Sequence, residues 1–121
     1  VTHGIPDAAF IRAKVPMTKE EVRSISLSKL QLQADSVVYD VGAGTGSISI
    51  EAACMADRGI VYAIEQKEEA VALIRENVNT RRILRSNHDV VILAAGEVEH
   101  INLKAAASIV LEAFCAGELE I

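Results

Sequence analysis

The sequence predicts an α/β protein with a doubly wound, mostly parallel sheet and helices on both faces. Three short apolar runs, at 37–41, 60–64 and 90–93, are rich in β-branched residues, as the buried strands of parallel sheets are. Two segments with helical composition or periodicity, 47–56 and 67–86, separate these runs. Strands that alternate with helices are typical of a parallel sheet with crossover helices.

The region before the first predicted strand is expected to form an arm and one helix. The first fifteen residues show little periodicity, and 4–7 is predicted as a turn. Thr18 with Glu21 three residues later fits a capping box, which predicts a helix over about 19–32. The apolar side of this helix is predicted to consist of Val22, Ile25 and Leu30.

The first strand ends at an acid and runs into a loop with three alternate glycines. Asp40 and Val41 are followed by Gly42-Ala43-Gly44-Thr45-Gly46. Glycine tolerates positive φ and lets a ligand approach the backbone, and amides at the start of the next helix favour negative charge. Asp40 could accept hydrogen bonds from these amides or contact a cationic group. We therefore expect a small-molecule site at the carboxyl edge of the sheet.

A second acid ends the next strand. Glu65 lies 25 positions after Asp40, where a carboxylate can accept both ribose hydroxyls of an adenosine-type ligand. The loop fits a dinucleotide fingerprint poorly, because its glycines are at 42, 44 and 46 and position 47 is Ser. A glycine turn that serves only helix–strand packing, or that binds another nucleotide, is the competing interpretation.

The loop together with Glu65 resembles motif I and the acidic residue of the Rossmann-like, class I S-adenosylmethionine-dependent methyltransferases. This resemblance implies S-adenosylmethionine as methyl donor, with no metal, bound by residues 40 and 42–46 and by Glu65. Gly96 and Glu97, after the third predicted strand, resemble the position that lies beside the adenine. A solvated loop charge is the alternative for Glu97.

The segment from Gly4 to Arg23, ahead of the glycine loop, resembles the decarboxylating precorrin methyltransferases of cobalamin biosynthesis. The similarity is continuous from about residue 4 to about residue 79. It implies methylation of carbon 15 of a precorrin-6 type tetrapyrrole with decarboxylation of the ring C acetate. It further implies a homotetramer and a possible partner methyltransferase for carbon 5. Thr18 is a candidate cofactor contact as well as a candidate helix cap.

Such a tetrapyrrole carries many carboxylates, which arginine and lysine bind well. Arg12 and Lys14 are the best substrate candidates, because they lie in the family-like arm. More basic residues follow the second strand: Arg75, Arg81, Arg82 and Arg85. Ordinary solvated helix faces are the alternative for these charges. The net charge of −5 argues against a nucleic-acid partner.

No group of residues marks a covalent or acid–base mechanism, so the catalytic residues are not predicted. The three histidines, His3, His88 and His100, are scattered and are interpreted as surface or structural residues. Cys54 and Cys115 lack ligand-type neighbours and are expected to be small apolar residues in a reducing compartment.

The 121 residues predict a single domain, with the arm and first helix over 1–35 and a cofactor-binding core over 36–121. No apolar stretch reaches transmembrane length, which predicts a cytoplasmic protein. Three strands are fewer than the roughly seven of a class I methyltransferase, so the C-terminal half is expected to be incomplete, or segments after about residue 96 to be absent. Two alternative functions remain, another small-molecule or nucleic-acid methyltransferase and a non-catalytic assembly subunit that binds the cofactor.

Overall fold

A computed structural model describes residues 4–80, 83–84 and 89–94. A short 3₁₀ turn over Asp7–Ala9 lies in the arm. Helices and strands then alternate in the predicted order: α1 (Glu20–Leu30), β1 (Val37–Val41), α2 (Ser47–Met55), β2 (Ile60–Glu65), α3 (Glu68–Asn79) and β3 (Asp89–Ala94). The three strands predicted from apolar runs are therefore confirmed.

The strands form a parallel sheet in the order β1-β2-β3. Val38 pairs with Val61, and Val61 with Val90, so the three strands begin level with one another. Because parallel strands end at the same edge, the glycine loop after β1 and Glu65 at the end of β2 come together there. The sheet thus places the two predicted halves of the site side by side.

The hydrophobic core lies between one face of the sheet and the helices. Val61 and Ala63 of β2, Ile50 of α2 and Ile74 of α3 are fully buried. Right-handed crossovers in a sheet that grows in one direction place α2 and α3 on the same face.

Gly59 lets the turn before β2 approach the backbone of Ser36 closely, since a Cβ at Gly59 would lie 1.9 Å from the carbonyl oxygen of Ser36.

The other face of the sheet is exposed at β1 and at part of β3 within the described residues, whereas Ile64 and Leu93 on the same face are buried. Val37 and Val41 of β1 are 56% and 64% exposed, and Val91 of β3 is also exposed. Between them the rings of Tyr39 and Tyr62 stack with centroids 5.2 Å apart. The prediction that β1 is a buried strand therefore holds for one of its faces in this part of the chain.

The apolar side predicted for helix α1 is wrong. Val22, Ile25 and Leu30 are all exposed, whereas the buried residues of this helix are Arg23 and Leu27. Hydrophobic periodicity failed here because Arg23 finds buried hydrogen-bond acceptors, which allow a guanidinium on the inner side.

The capping box predicted for Thr18 and Glu21 is wrong. Helix α1 begins at Glu20 with Lys19 as N-cap, and no side chain caps it. The carbonyl of Thr18 accepts a hydrogen bond from Arg23 Nη1 at 2.7 Å. Glu20, rather than Glu21, contacts an earlier part of the backbone: its Oε2 accepts a hydrogen bond from the amide of Asp7 at 2.7 Å. Contacts with the folded arm thus replaced the local cap.

Helix α3 is shorter than predicted, because it ends at Asn79 rather than near residue 86. Its apolar side is as predicted, with Val71 and Ile74 buried and Val78 half-buried. Ile83 and Leu84 are not helical and are buried in the core. The chain leaves the helix early so that these side chains can pack against the core.

Several predictions fall on residues outside the described part of the chain. These are the adenine position at Gly96 and Glu97, the basic residues Arg81, Arg82 and Arg85, the three histidines, Cys115 and the helix predicted from Asn102. Within the described residues, no helix is long and apolar enough to cross a membrane.

Candidate cofactor site

The glycine loop adopts the conformation that its sequence predicts. Gly42, Gly44 and Gly46 have φ angles of 77°, 60° and 84°, in the left-handed region that favours glycine. A side chain at Gly46 would also lie 3.1 Å from Ile74 Cγ2 of α3. The loop is therefore a tight turn pressed against the third helix.

Most amides of this loop bind the protein itself. The amides of Gly42 and Ala43 both donate to the carbonyl of Ile64 in β2, at 2.8 and 3.0 Å, and that of Gly46 donates to Ala43 at 2.9 Å. The expectation that the loop amides point at a ligand is thus wrong for these three. They instead fix the loop against β2, close to Glu65.

Asp40 lies beneath the loop and binds a side chain of α2. Its Oδ2 accepts a hydrogen bond from Ser49 Oγ at 2.6 Å, rather than from the loop amides. Burial raises the pKa of Asp40 above its usual value, the nearby charge of Glu65 adds to this rise, and the hydrogen bonds from Ser49 oppose it. Asp40 is half-buried and forms no ion pair with a basic side chain among the described residues.

A cavity of about 760 Å³ opens at the carboxyl edge of the sheet. Glu65 lines this cavity. Its Oε2 accepts a hydrogen bond from the amide of Gln66 at 3.0 Å. The remaining lining comes from the arm, the glycine loop and the start of α3: Ala13, Lys14, Val15, Pro16, Gly42, Gly44, Lys67, Glu69 and Ala70. Its size is that of a small-molecule site.

The cavity brings together four of the residues predicted for the site: Lys14, Gly42, Gly44 and Glu65. The other predicted residues in the described part lie outside its lining: Arg12, Thr18, Asp40, Ala43, Thr45 and Gly46. Sequence reasoning missed Lys67 and Glu69 as lining residues. Both residues follow Glu65 by only a few positions, at the start of the next helix. Their place in the sequence could have predicted this, because a helix that follows a parallel strand begins at the carboxyl edge of the sheet.

The arm is held against the helices by a buried ion pair that sequence reasoning also missed. Arg23 Nε lies 2.7 Å from Glu51 Oε2 of α2, and both side chains are almost fully buried. Arg23 also contacts Asp7 at 3.2 Å and lies over the ring of Phe10. The other oxygen of Glu51 accepts from the amides of Gly4 and Ile5.

Asn77 of α3 provides a second anchor. Its Oδ1 accepts from the amide of Ile11 at 2.6 Å, and its Nδ2 donates to the carbonyls of Ile11 and Thr45 at 2.8 and 2.9 Å. Asn77 lies on the buried side of α3 together with Leu73 and Ile74. The local sequence did not single it out, because its partners are far away along the chain.

The remaining candidate chemistry in the described residues is limited. Cys54 is a free, half-buried thiol, and its pKa is raised mainly by burial. No three His, Cys, Asp or Glu side chains within residues 4–80, 83–84 and 89–94 are grouped as metal ligands.

The chain matches the model of a precorrin methyltransferase domain over residues 8–109. A probable cobalt-precorrin-6B C(15)-methyltransferase (decarboxylating) of Pyrobaculum calidifontis is 46% identical over 102 residues, which are 83% of this chain and 50% of that protein. The corresponding protein of Salmonella typhimurium is 53% identical over 72 residues, 59% of this chain and 38% of that protein. The chain thus spans about half the length of the curated relatives that it matches.

Solved structures give the same result. Precorrin-6y C5,15-methyltransferase from Geobacter metallireducens superimposes with a TM-score of 0.68 at 39% identity, over 76% of this chain and 47% of that one. Precorrin 8w decarboxylase from Methanobacterium thermoautotrophicum gives 0.63 at 31% identity, over 74% and 47%.

The sheet order, the glycine loop and these neighbours define a class I methyltransferase fold. The chain belongs to the precorrin methyltransferase family.

Proposed function

We propose that the protein is an S-adenosylmethionine-dependent enzyme of cobalamin biosynthesis. It methylates carbon 15 of a precorrin-6 type tetrapyrrole and removes the carboxyl group of the ring C acetate. The observation that supports this most directly is the cavity in which Glu65, the glycine loop and the family-like arm meet. The relatives from Pyrobaculum calidifontis and Salmonella typhimurium are named as decarboxylating C(15)-methyltransferases of cobalt-precorrin-6B, which supports the proposal.

The residues of the cavity fit such a methyl donor. Glu65 offers carboxylate oxygens for the ribose hydroxyls, and Gly42 and Gly44 line the cavity without side chains. A side chain at Gly42 would meet no atom within 4 Å, so the space above it is open to a ligand. Asp40, whose pKa is raised mainly by burial, lies beneath the loop where a cationic group would favour its charged form.

When bound, the donor supplies an electrophilic methyl group, and the chain's own residues hold and orient it. Glu65 would accept hydrogen bonds from the ribose hydroxyls, the glycine loop would lie against the donor, and the arm over 13–16 would limit the access of water. Thr18 and, beyond the described residues, Gly96 and Glu97 are proposed as further contacts with the donor. No acid or base of the described residues is assigned to the reaction.

Lys14 is proposed as a contact for a carboxylate of the substrate. It is exposed and lines the cavity, whereas Arg12, the other candidate, is exposed outside the lining. Placing an ammonium group at the mouth of the cavity suits a polycarboxylate ligand. A single domain over 1–121, a cytoplasmic location, a homotetramer and a partner methyltransferase for carbon 5 belong to the same proposal.

The first test is calorimetric titration of the full-length protein with S-adenosylhomocysteine. Wild type is expected to bind at one site, and Glu65→Ala to bind about tenfold more weakly or worse, a loss of about 1.4 kcal/mol, because the ribose hydroxyls lose their acceptor. Glu68→Ala removes a nearby exposed carboxylate and is expected to leave the affinity within about twofold of wild type.

A folded wild-type protein that does not bind S-adenosylhomocysteine would contradict the methyltransferase proposal. Binding without turnover of any precorrin would instead favour the non-catalytic assembly subunit. Equal losses in Glu65→Ala and Glu68→Ala would show that the effect is general electrostatics rather than a ribose contact.

A further inference from the structure

The part of the arm that lines the cavity is held at both ends by side chains outside the cavity. At one end Asn77 makes two hydrogen bonds to the backbone of Ile11, one through each of its amide atoms. At the other end Arg23 Nη1 donates to the carbonyl of Thr18 at 2.7 Å. The lining residues Ala13, Lys14, Val15 and Pro16 lie between these two anchors.

Asn77 differs from Arg23 because it also holds the opposite wall. Its Nδ2 donates a second hydrogen bond to the carbonyl of Thr45, in the middle of the glycine loop. Asn77 is 5% exposed and Thr45 is 1% exposed, so water does not compete for these bonds. A side-chain amide has two donor hydrogens and one acceptor oxygen, which is the set that these three bonds use.

The two walls that Asn77 joins approach each other closely. A Cβ at Gly44 would lie 3.3 Å from the carbonyl oxygen of Pro16, so the loop and the arm are nearly in contact beside the cavity. A shift of a few tenths of an ångström in either wall therefore changes the shape of the space for a ligand. Sites of this kind depend on residues behind the lining to hold the contacting atoms in place.

We propose that Asn77 is a positioning residue of the cofactor site. By binding Ile11 and Thr45 with one amide group, it sets the distance between the arm and the glycine loop, and so the affinity for the methyl donor. This inference depends on the proposed function, because the ligand whose affinity it sets is the one proposed above. Asn77 itself lies outside the cavity lining.

The test compares Asn77→Asp with wild type in the full-length protein. Aspartate has nearly the same shape and keeps an acceptor for the amide of Ile11, but its carboxylate has no donor for the carbonyls of Ile11 and Thr45. The dissociation constant for S-adenosylhomocysteine is expected to rise about tenfold or more. Asn79→Asp makes the same change at an exposed position two residues along the helix, and is expected to stay within about twofold.

A second readout separates positioning from a general loss of stability. Leu27→Ala leaves a void in the hydrophobic core and lowers stability, and Leu27 neither lines the cofactor cavity nor belongs to the hydrogen bonds of Asn77. We expect it to leave the affinity of the folded protein within about twofold of wild type. Hydrogen exchange at the amide of Ile11 should become faster in Asn77→Asp and remain slow in Leu27→Ala.

If Asn77→Asp does not fold, Asn77→Ser provides the same comparison, since its shorter side chain leaves a gap between the walls and adds no charge. An unchanged dissociation constant in a folded Asn77 variant would overturn the inference, as would an equal loss in Leu27→Ala. If wild type fails to bind S-adenosylhomocysteine, the proposed function fails and the role of Asn77 fails with it. If wild type binds S-adenosylhomocysteine and the Asn77 variants bind it equally well, the proposed function stands and this inference alone is wrong.

Discussion

Asp40 is held in an environment that disfavours the charged form of its carboxyl group. The carboxyl group is mostly buried, its recorded hydrogen-bond donor is the Ser49 side chain, and Glu65 places a second negative charge nearby. These conditions raise the pKa of Asp40 above its ordinary value of 3.8, with burial as the largest cause. A carboxyl group with a raised pKa lowers the stability of the unliganded protein when it is ionised.

We expect Asp40→Asn to raise the free energy of unfolding of the unliganded protein at pH 7. The folded state binds the proton of Asp40 more tightly than the unfolded state does, so ionisation costs stability at every pH above the raised pKa. This cost decreases as the pH falls through the raised pKa towards 3.8, and the two proteins should then become equally stable. Urea unfolding of both proteins across this pH range measures the difference.

Asp35→Asn serves as the control, because Asp35 is exposed and its substitution should change the free energy of unfolding little across this pH range. The same Asp40→Asn protein is expected to bind S-adenosylhomocysteine more weakly, since it lacks the charge that a cationic group would pair with. A variant that is less stable than wild type at pH 7 would mean that the Asp40 carboxylate supports the fold rather than the ligand.

At the scale of elements, the buried pair of Arg23 and Glu51 joins three segments that the local sequence does not connect. Arg23 belongs to α1, Glu51 to α2, and both bind the backbone of the arm around Ile5. Every side-chain polar atom that is buried in the described residues has a hydrogen-bond partner. The arm is therefore part of the core structure, and it is held where it can form one wall of the cavity.

Arg23→Met is expected to lower the free energy of unfolding by about 3–5 kcal/mol, because it leaves the Glu51 carboxylate buried without its partner. Glu51→Leu should lose a similar amount for the converse reason. The double variant Arg23→Met/Glu51→Leu is expected to lose less than the sum of the two single losses, since neither charge is then left alone. Urea denaturation of the four proteins completes the cycle.

Lys19→Met is the control, because it removes an exposed basic side chain beside α1. Its free energy of unfolding is expected to stay within about 0.5 kcal/mol of wild type. Strict additivity of the two single losses would show that the ion pair does not couple α1 to α2.

At the scale of the whole molecule, one apolar face of the sheet is exposed among the described residues at Val37, Tyr39, Val41 and Val91. The matched region covers only about half of each relative, and a doubly wound sheet has helices on both faces. We therefore expect this face to be covered in the full-length protein.

Tyr39→Ser in the full-length protein is expected to lower the free energy of unfolding by about 3 kcal/mol or more, as loss of a buried aromatic ring does. If the face were solvated, the change would resemble that of an exposed position such as Lys29→Ser, within about 0.5 kcal/mol. Thermal or urea unfolding of both variants distinguishes the two cases.

The sequence by itself determined the strands, the glycine loop, the acid at the end of β2 and the family. These features depend on neighbouring residues: β-branched runs favour strands, and only glycine readily adopts the φ angles found at 42, 44 and 46. The site at the carboxyl edge followed from them, because parallel strands end on the same side. Glu65 and Lys14, predicted separately, do line one cavity.

Only the tertiary structure decided which face of α1 is buried, why this helix lacks the predicted side-chain cap, and where the loop amides point. Each of these depends on groups far apart in sequence. Arg23 is buried because Glu51, 28 positions away, neutralises it, and the amides of Gly42 and Ala43 bind the carbonyl of Ile64 in the next strand. Asn77 contacts Ile11 across 66 positions. Periodicity and capping rules describe neighbours along the chain, so long-range partners of this kind lie beyond what they can predict.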